Sequence, residues 1–230
     1  MKERILRILP KESRMFFIKK YLDYKNEELK KLATPTSIIL YVTNRCNAKC
    51  GHCFFWKELN IKHVELSLDE IQQIVSSLKH PARFVLTGGE PTLRKELPEI
   101  CAILYKHNKS PGINIPTNGI LTDMIVCSVE KILSVFPNPV KIQVSLDGTE
   151  EYHDKLRGVL GNYKRAMETL GRLKQLKQRY PHLCVEIAST VTSFNLNDLY
   201  DFVQETKDLG VQHKFSLVRG VDLGVYDLPQ

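Results

Sequence analysis

The chain has 230 residues, 43% of them hydrophobic and 26% charged, with a formal net charge of +7 at pH 7. That length closes one sizeable core and leaves too little for two ordinary catalytic domains. The longest apolar stretches, such as Ile38 to Val42, fall far short of the roughly 20 residues that cross a bilayer, and no apolar leader with a small-residue cleavage site opens the chain, so a reducing cytoplasmic setting with free thiols is expected.

Most of the positive charge sits in an N-terminal arm: residues 1 to 32 carry ten Lys or Arg against five Asp or Glu. Ile5, Leu6, Ile8 and Leu9, then Met15, Phe16, Phe17 and Ile18, give the arm helical patterns with an apolar side. Such helices normally pack on the domain with their lysines in water, and peripheral contact with a membrane surface is the other use they allow. From Ser37 on, β-branched apolar runs recur at 37 to 43, 83 to 87, 113 to 117, 140 to 147, 183 to 192 and 211 to 218, which predicts six strands. Helical patterns separate them. The first opens at Ser67 with Glu70 three residues on, a capping box, and lines Leu68, Ile71, Ile74, Val75 and Leu78 on one face. Others follow at about 94 to 107, 121 to 135, 162 to 179 and 197 to 208.

Strict alternation of this kind predicts an α/β fold with parallel strands joined by helical crossovers. It is compatible with an open doubly wound sheet or a partial (βα)6 TIM-like barrel. No G-x-G-x-x-G run follows the first strand, which counts against the dinucleotide-binding version. The expected organisation is a basic helical extension over 1–35, a catalytic core over 36–220 and a tail over 221–230, as in a truncated chain or one covered by a partner subunit. Chemistry in either architecture belongs in the loops that leave the carboxyl ends of the strands.

The unusual residues fall in those loops. After the first strand comes Thr43-Asn44-Arg45-Cys46-Asn47-Ala48-Lys49-Cys50-Gly51-His52-Cys53, three thiols on one short loop. Cysteine thiolates hold zinc or iron–sulfur clusters, and a structural zinc site closes with four ligands. A fourth cysteine is missing nearby. Cys101 and Cys127 lie in helical apolar patterns and Cys184 opens a strand, so these three read as small buried hydrophobes. Two readings stay open on the thiols alone: a cluster with one open iron, or a Cys₃His zinc site completed by a histidine such as His52 or His63. The zinc reading makes the chain a non-catalytic βα domain that uses its basic arm on nucleic acid or an anionic membrane.

After the second strand the sequence reads Thr87-Gly88-Gly89-Glu90-Pro91, after the third Thr117-Asn118-Gly119, and after the fourth Ser145-Leu146-Asp147-Gly148. Paired glycines admit a close backbone approach, Glu90 offers a carboxylate to a cation, and Asp147 could cap the short helix that follows. Further on, Arg157 ends the run His153-Asp154-Lys155-Leu156-Arg157, in which His153 and Asp154 read as a solvated helix start. Arg157 reads as a surface ion pair or as a two-pronged carboxylate ligand.

Cys-x-x-x-Cys-x-x-Cys in this setting, followed by Gly-Gly-Glu-Pro, Thr-Asn-Gly and Ser-Leu-Asp-Gly at successive strand ends, resembles the radical S-adenosylmethionine (radical SAM) superfamily over about residues 36 to 220. The resemblance implies an enzyme on a partial (βα)6 TIM-like barrel of parallel strands with an N-terminal helical extension, with a [4Fe–4S] cluster held by Cys46, Cys50 and Cys53 and S-adenosylmethionine on the fourth iron. It implies contacts to that cofactor from Gly88, Gly89, Glu90, Asn118, Ser145 and Arg157. The position before Cys53 is commonly aromatic in the family, and His52 departs from that. The resemblance further implies a peptide or small-molecule substrate, an external electron donor such as flavodoxin or ferredoxin, and no nucleic-acid partner. Trp56, Lys57 and Glu58 are candidates for the substrate rim, and Thr190 to Thr192 for the adenosyl side.

Overall fold

The computed structural model describes residues 32–193 and 195–218, and before them only Met15, Lys19, Lys20 and Asp23. The expected helices of the arm and the tail over 221–230 lie outside the described residues. Chain contacts separate Met1–Pro35 from Thr36–Gln230.

Six parallel strands form one sheet in the order of the sequence: β1 (Ser37–Thr43), β2 (Arg83–Gly88), β3 (Ile113–Thr117), β4 (Val140–Ser145), β5 (Leu183–Val191) and β6 (Gln212–Leu217). The helices between them are α1 (Leu68–Ser77), α2 (Leu97–Asn108), α3 (Thr122–Val135), α4 (Glu150–Arg157), α5 (Asn162–Arg179) and α6 (Leu199–Thr206). Strand order decides between the two architectures that alternation leaves open. Right-handed crossovers that always step the same way put every helix on one face, so the sheet curls into a partial barrel. A doubly wound sheet needs a reversal of direction, and none occurs.

Register explains the two faces. Ile38 pairs with Phe84, and Leu40 with Leu86. Ile113, Val140 and Leu183 form one row, and Ile115, Ile142 and Val185 the next. Since side chains alternate along a strand, these rows share the face beneath the helices. There they meet Ile71 and Val75 of α1, Leu97, Ile100 and Leu104 of α2, Ile125 and Ile132 of α3, Leu170 and Leu173 of α5, and Phe202 of α6. The opposite face carries Asn114, Lys141, Gln143 and Glu186. Asn114 Nδ2 donates to Gln143 Oε1 at 2.8 Å, Gln143 Nε2 to Glu186 Oε2 at 3.1 Å, and Lys141 Nζ to Glu186 Oε1 at 2.5 Å. These bonds link polar side chains across neighbouring strands, although Asn114 Oδ1 is buried without a partner among the described residues.

Helix limits differ from the periodicity where a specific contact intervenes. Helix α2 starts at Leu97 rather than 94 because Pro98 is tolerated only in a first turn and Arg94 is buried ahead of it. Arg94 donates to the carbonyls of Val42 at 2.8 Å and Leu66 at 2.5 Å. Helix α6 starts at Leu199, after Asn195 has folded into a tight turn that accepts from the Thr192 backbone N–H at 2.7 Å. Strand β4 stops at Ser145, and the N-cap of α4 is Thr149 rather than Asp147.

Candidate active site

The cysteine loop is clamped from two sides. On one side it meets the end of β2: Gly89 N donates to Thr43 O at 2.9 Å and Glu90 N to Arg45 O at 2.8 Å. A Cβ on Gly88, which has φ +133, would lie 2.0 Å from Thr43 O, and one on Gly89 2.1 Å from Arg45 O. The paired glycines thus admit a close backbone approach, and the backbone admitted is that of the loop itself. On the other side the loop meets the last turn of α4, where Lys49 N donates to Arg157 O at 3.0 Å and Gly51 N to Leu156 O at 2.8 Å. Helix-end carbonyls lack partners within their own helix, and here the loop supplies them. Asn60 braces the first cysteine, accepting from Cys46 N at 2.9 Å and donating to Cys46 O at 3.0 Å. Asn44 Nδ2 ties the return of the loop through Glu58 O and Ile61 O.

All the predicted site residues line one cavity of about 300 Å³ at the carboxyl ends of the strands: Cys46, Cys50 and Cys53, Gly88, Gly89 and Glu90, Asn118, Ser145 and Arg157. His52, Thr87, Thr117, Thr190 and Ser216 complete the polar part of the wall, and Phe54, Leu59, Pro116 and Leu217 add apolar surface. Such a volume sits at the small end of ligand pockets. Ser145, the last residue of β4, lines the same cavity.

Glu90 is buried and heavily bonded. Its Oε1 accepts from Thr92 Oγ1 at 2.6 Å and Thr117 Oγ1 at 2.9 Å, and its Oε2 accepts from Asn118 N at 2.7 Å. Burial pushes its pKa above the ordinary carboxylate value, against the pull of these bonds. The carboxylate therefore pins the ends of β2 and β3 together as well as lining the cavity. Asn118 Nδ2 then reaches back to Asn47 Oδ1 at 2.7 Å, joining β3 to the cysteine loop.

Asp147 is a second hub. Its Oδ2 accepts from Arg157 Nε at 2.7 Å, its Oδ1 from Thr190 N at 2.8 Å, and its carbonyl from Asn195 Nδ2 at 2.8 Å. Its own N–H donates to His153 Nδ1 at 3.1 Å. Burial opposes ionisation of Asp147, but Arg157 beside it outweighs that and holds the pKa below the ordinary value. Arg157 is itself buried, and its Nη1 stands 3.7 Å from Cys50 Sγ. Of the two readings for Arg157, a surface ion pair is excluded by that burial.

Some expectations are corrected. His153 is fully buried, and Asp154 accepts from the backbone N–H groups of Gly161 and Tyr163, so neither is a solvated helix start. Cys101 is buried as expected, but Cys127 is exposed and Cys184 only half-buried. Cys127 sits two residues beyond Ile125, on the far side of α3 from the core. Trp56 is more than half exposed, in a single helical turn with Lys57 and Glu58 just past the cluster loop. The parts that sequence reasoning missed are Asn60, Thr92, Asn195 and the α4 carbonyls. Only an Asn at φ +58, Asn60, carries a faint local signal of a special role.

The Radical SAM superfamily model matches residues 40–205. The chain belongs to the radical SAM superfamily. Fe-coproporphyrin III synthase of Methanosarcina barkeri is 31% identical over 176 residues, covering 74% of this chain and 41% of that protein. PqqA peptide cyclase of Bradyrhizobium diazoefficiens is 26% identical over 179 residues, covering 76% of this chain and 44% of that protein. The solved structure of native anSMEcpe with bound AdoMet and Cp18Cys peptide matches with a TM-score of 0.58 and 24% identity, covering 79% of this chain and 50% of that one. The radical SAM chain described here thus spans less than half the length of these two curated relatives. Radical SAM proteins use a [4Fe–4S] cluster and S-adenosylmethionine, and the donor set suits them. Three thiols on one short loop line a single cavity, and that loop carries no fourth cysteine. Cysteine thiolates hold the irons of such a cluster. Burial pushes the Cys46 thiol up to about 11 and the Cys53 thiol up as well, so cluster loading must displace protons from them. No helix among the described residues is long and apolar enough to cross a membrane.

Proposed function

We propose that this radical SAM chain cleaves S-adenosylmethionine reductively and removes a hydrogen atom from an organic substrate, with a peptide as the favoured substrate class and a small polar molecule as the alternative. The observation that carries the reading is the grouping of Cys46, Cys50, Cys53, Glu90, Asn118, Ser145 and Arg157 around one cavity, contributed by four successive strand ends and one helix end. In this reading the three thiolates hold the cluster, which when bound supplies the electron that splits the sulfonium into methionine and a 5′-deoxyadenosyl radical.

The protein's own work is positioning and shielding. The backbone of Gly88 and Gly89 and the carboxylate of Glu90 would face the cofactor's ammonium group, and Ser145 would hydrogen-bond its ribose or carboxylate. The fork of Arg157, held by Asp147, keeps Nη2 for a carboxylate oxygen. Phe54, Leu59 and Leu217 add apolar surface to the same cavity. Peptide is favoured because two of the relatives named above carry peptides in their descriptions. A one-electron carrier such as flavodoxin or ferredoxin would supply the reducing equivalent.

Anaerobic reconstitution with iron and sulfide tests the proposal. It expects visible charge-transfer absorption, and 5′-deoxyadenosine once S-adenosylmethionine and a low-potential reductant are added. Cys50→Ala should remove both signals, whereas Cys101→Ala should leave them. Formation of neither signal in the wild-type chain sinks the proposal.

A further inference from the structure

We infer that Arg157, held by Asp147, raises the reduction potential of the cluster through the sulfur of Cys50, whether or not S-adenosylmethionine is bound. The inference rests on the reading that Cys46, Cys50 and Cys53 are the cluster ligands. It assigns Arg157 a task additional to any contact with the cofactor's carboxylate.

The three thiols have unlike surroundings. Cys46 and Cys53 accept from the backbone N–H groups of Ala48 and Phe55, and Arg157 acts on Cys53 only through space. Cys50 faces a guanidinium, with Arg157 Nη1 at 3.7 Å from its sulfur. Among the described residues no other cationic side chain donates to a loop thiol. A hydrogen bond from a charged donor is stronger than one from a neutral amide, and it favours the more negative partner. A singly reduced cluster carries one more negative charge than the oxidised form, so the cation stabilises the reduced form more. Hydrogen bonds to ligand sulfurs and nearby charge are among the levers that set such potentials.

The geometry makes this contact a fixed one. Arg157 and Asp147 are both buried, so water and salt screen the charge little. Asp147 cannot swing away, because its side chain also accepts from Thr190 N, its carbonyl accepts from Asn195, and its N–H is bound to His153. Cys50 is fixed relative to the same helix, since the N–H groups of Lys49 and Gly51 on either side of it donate to the carbonyls of Arg157 and Leu156. Helix α4 thus holds the guanidinium and the thiol at once. A guanidinium stays protonated throughout the working range of pH.

The electron balance is simple. One electron passes from a low-potential flavin or iron–sulfur carrier to the oxidised cluster, and no bond to Cys50 forms or breaks. The test is a redox titration of the anaerobically reconstituted full chain with no S-adenosylmethionine present, following the electron paramagnetic resonance signal of the reduced cluster per iron bound. In Arg157→Gln the ratio of reduced to oxidised cluster at a fixed potential should fall about tenfold, equivalent to about 59 mV for one electron. Arg157→Lys, which keeps the charge but lacks the fork, should fall between that variant and wild type. It also provides the measurement should the glutamine variant lose its cluster. Equal midpoints in all three proteins overturn the inference, as does a difference that emerges only after S-adenosylmethionine is added. A wild-type chain that shows no cluster spectrum at all overturns the underlying function, and is distinguished from these outcomes by its lack of any signal to titrate.

Discussion

Gly89 shows how little room a single residue has at this site. Its missing Cβ would sit 2.1 Å from Arg45 O, a backbone atom that already accepts from Glu90 N. Nothing there can move without detaching the cysteine loop from β2. Gly89→Ala should therefore destabilise the domain by on the order of 2 kcal/mol or more, and it should lower the iron bound on reconstitution. Gly171, in α5, has nothing within 4 Å of its would-be Cβ. Gly171→Ala should instead be neutral or stabilising by up to about 1 kcal/mol. Urea denaturation of the two variants side by side checks both, and equal effects would contradict the close-approach account. Glu90 was legible as a site residue from the Gly-Gly-Glu-Pro run, because the run follows a strand. Its bonds to Thr117 and Asn118 were not, because they join residues whose proximity only the folded sheet creates.

At the level of elements, α1 and α4 make opposite points. Helix α1 obeys local rules: Ser67 Oγ accepts from Glu70 N at 3.2 Å and Glu70 Oε2 accepts from Ser67 N at 2.8 Å, with Ile71 and Val75 inward. Ser67→Ala should cost about 1 kcal/mol of stability with no change in iron binding, as read by denaturation and metal analysis. These bonds hold the Glu70 carboxyl below its ordinary pKa, so the cap contributes fully above the unfolded value and is lost as pH falls through the folded one. Helix α4 runs against the rules, burying His153, Asp154 and Arg157. A pattern reading puts such residues in water, since burying them is unfavourable unless each finds a partner. The partners are Asp147, Gly161, Tyr163 and Cys50, and three of those four lie outside the helix's own stretch of polar residues by a turn or more.

For the molecule as a whole, the buried polar hubs make stability depend on pH. Burial, then Arg157, lowers the His153 pKa to about 4, and burial also holds His52 near 4. Each imidazole is neutral in the fold and takes up a proton more readily when unfolded. The stability these sites contribute is therefore complete above about pH 6.5 and declines as pH falls toward 4. For His153 alone the decline is on the order of 3 kcal/mol. Thermal unfolding of the cluster-free chain between pH 7.5 and 5 should show a falling midpoint, with a shallower fall in His153→Gln. An unchanged slope in that variant would count against a buried neutral His153.

What the sequence determined by itself was whatever nearest-neighbour chemistry controls. The six strands, the parallel α/β alternation, the α1 cap and the positions of Cys46, Cys50, Cys53, Glu90, Asn118 and Ser145 at or just past strand ends follow from period, propensity and turn chemistry along short stretches. Tertiary structure alone decided that the strands run in one unbroken order, so that the sheet curls into a partial barrel with Asn114, Lys141, Gln143 and Glu186 on its open face. It alone joined Asp147 to Arg157 and Arg157 to Cys50, which is 107 positions away. The physical reason is that a buried charge is tolerable only beside a compensating partner, and which residue becomes that partner depends on how distant strand ends converge rather than on the local chain.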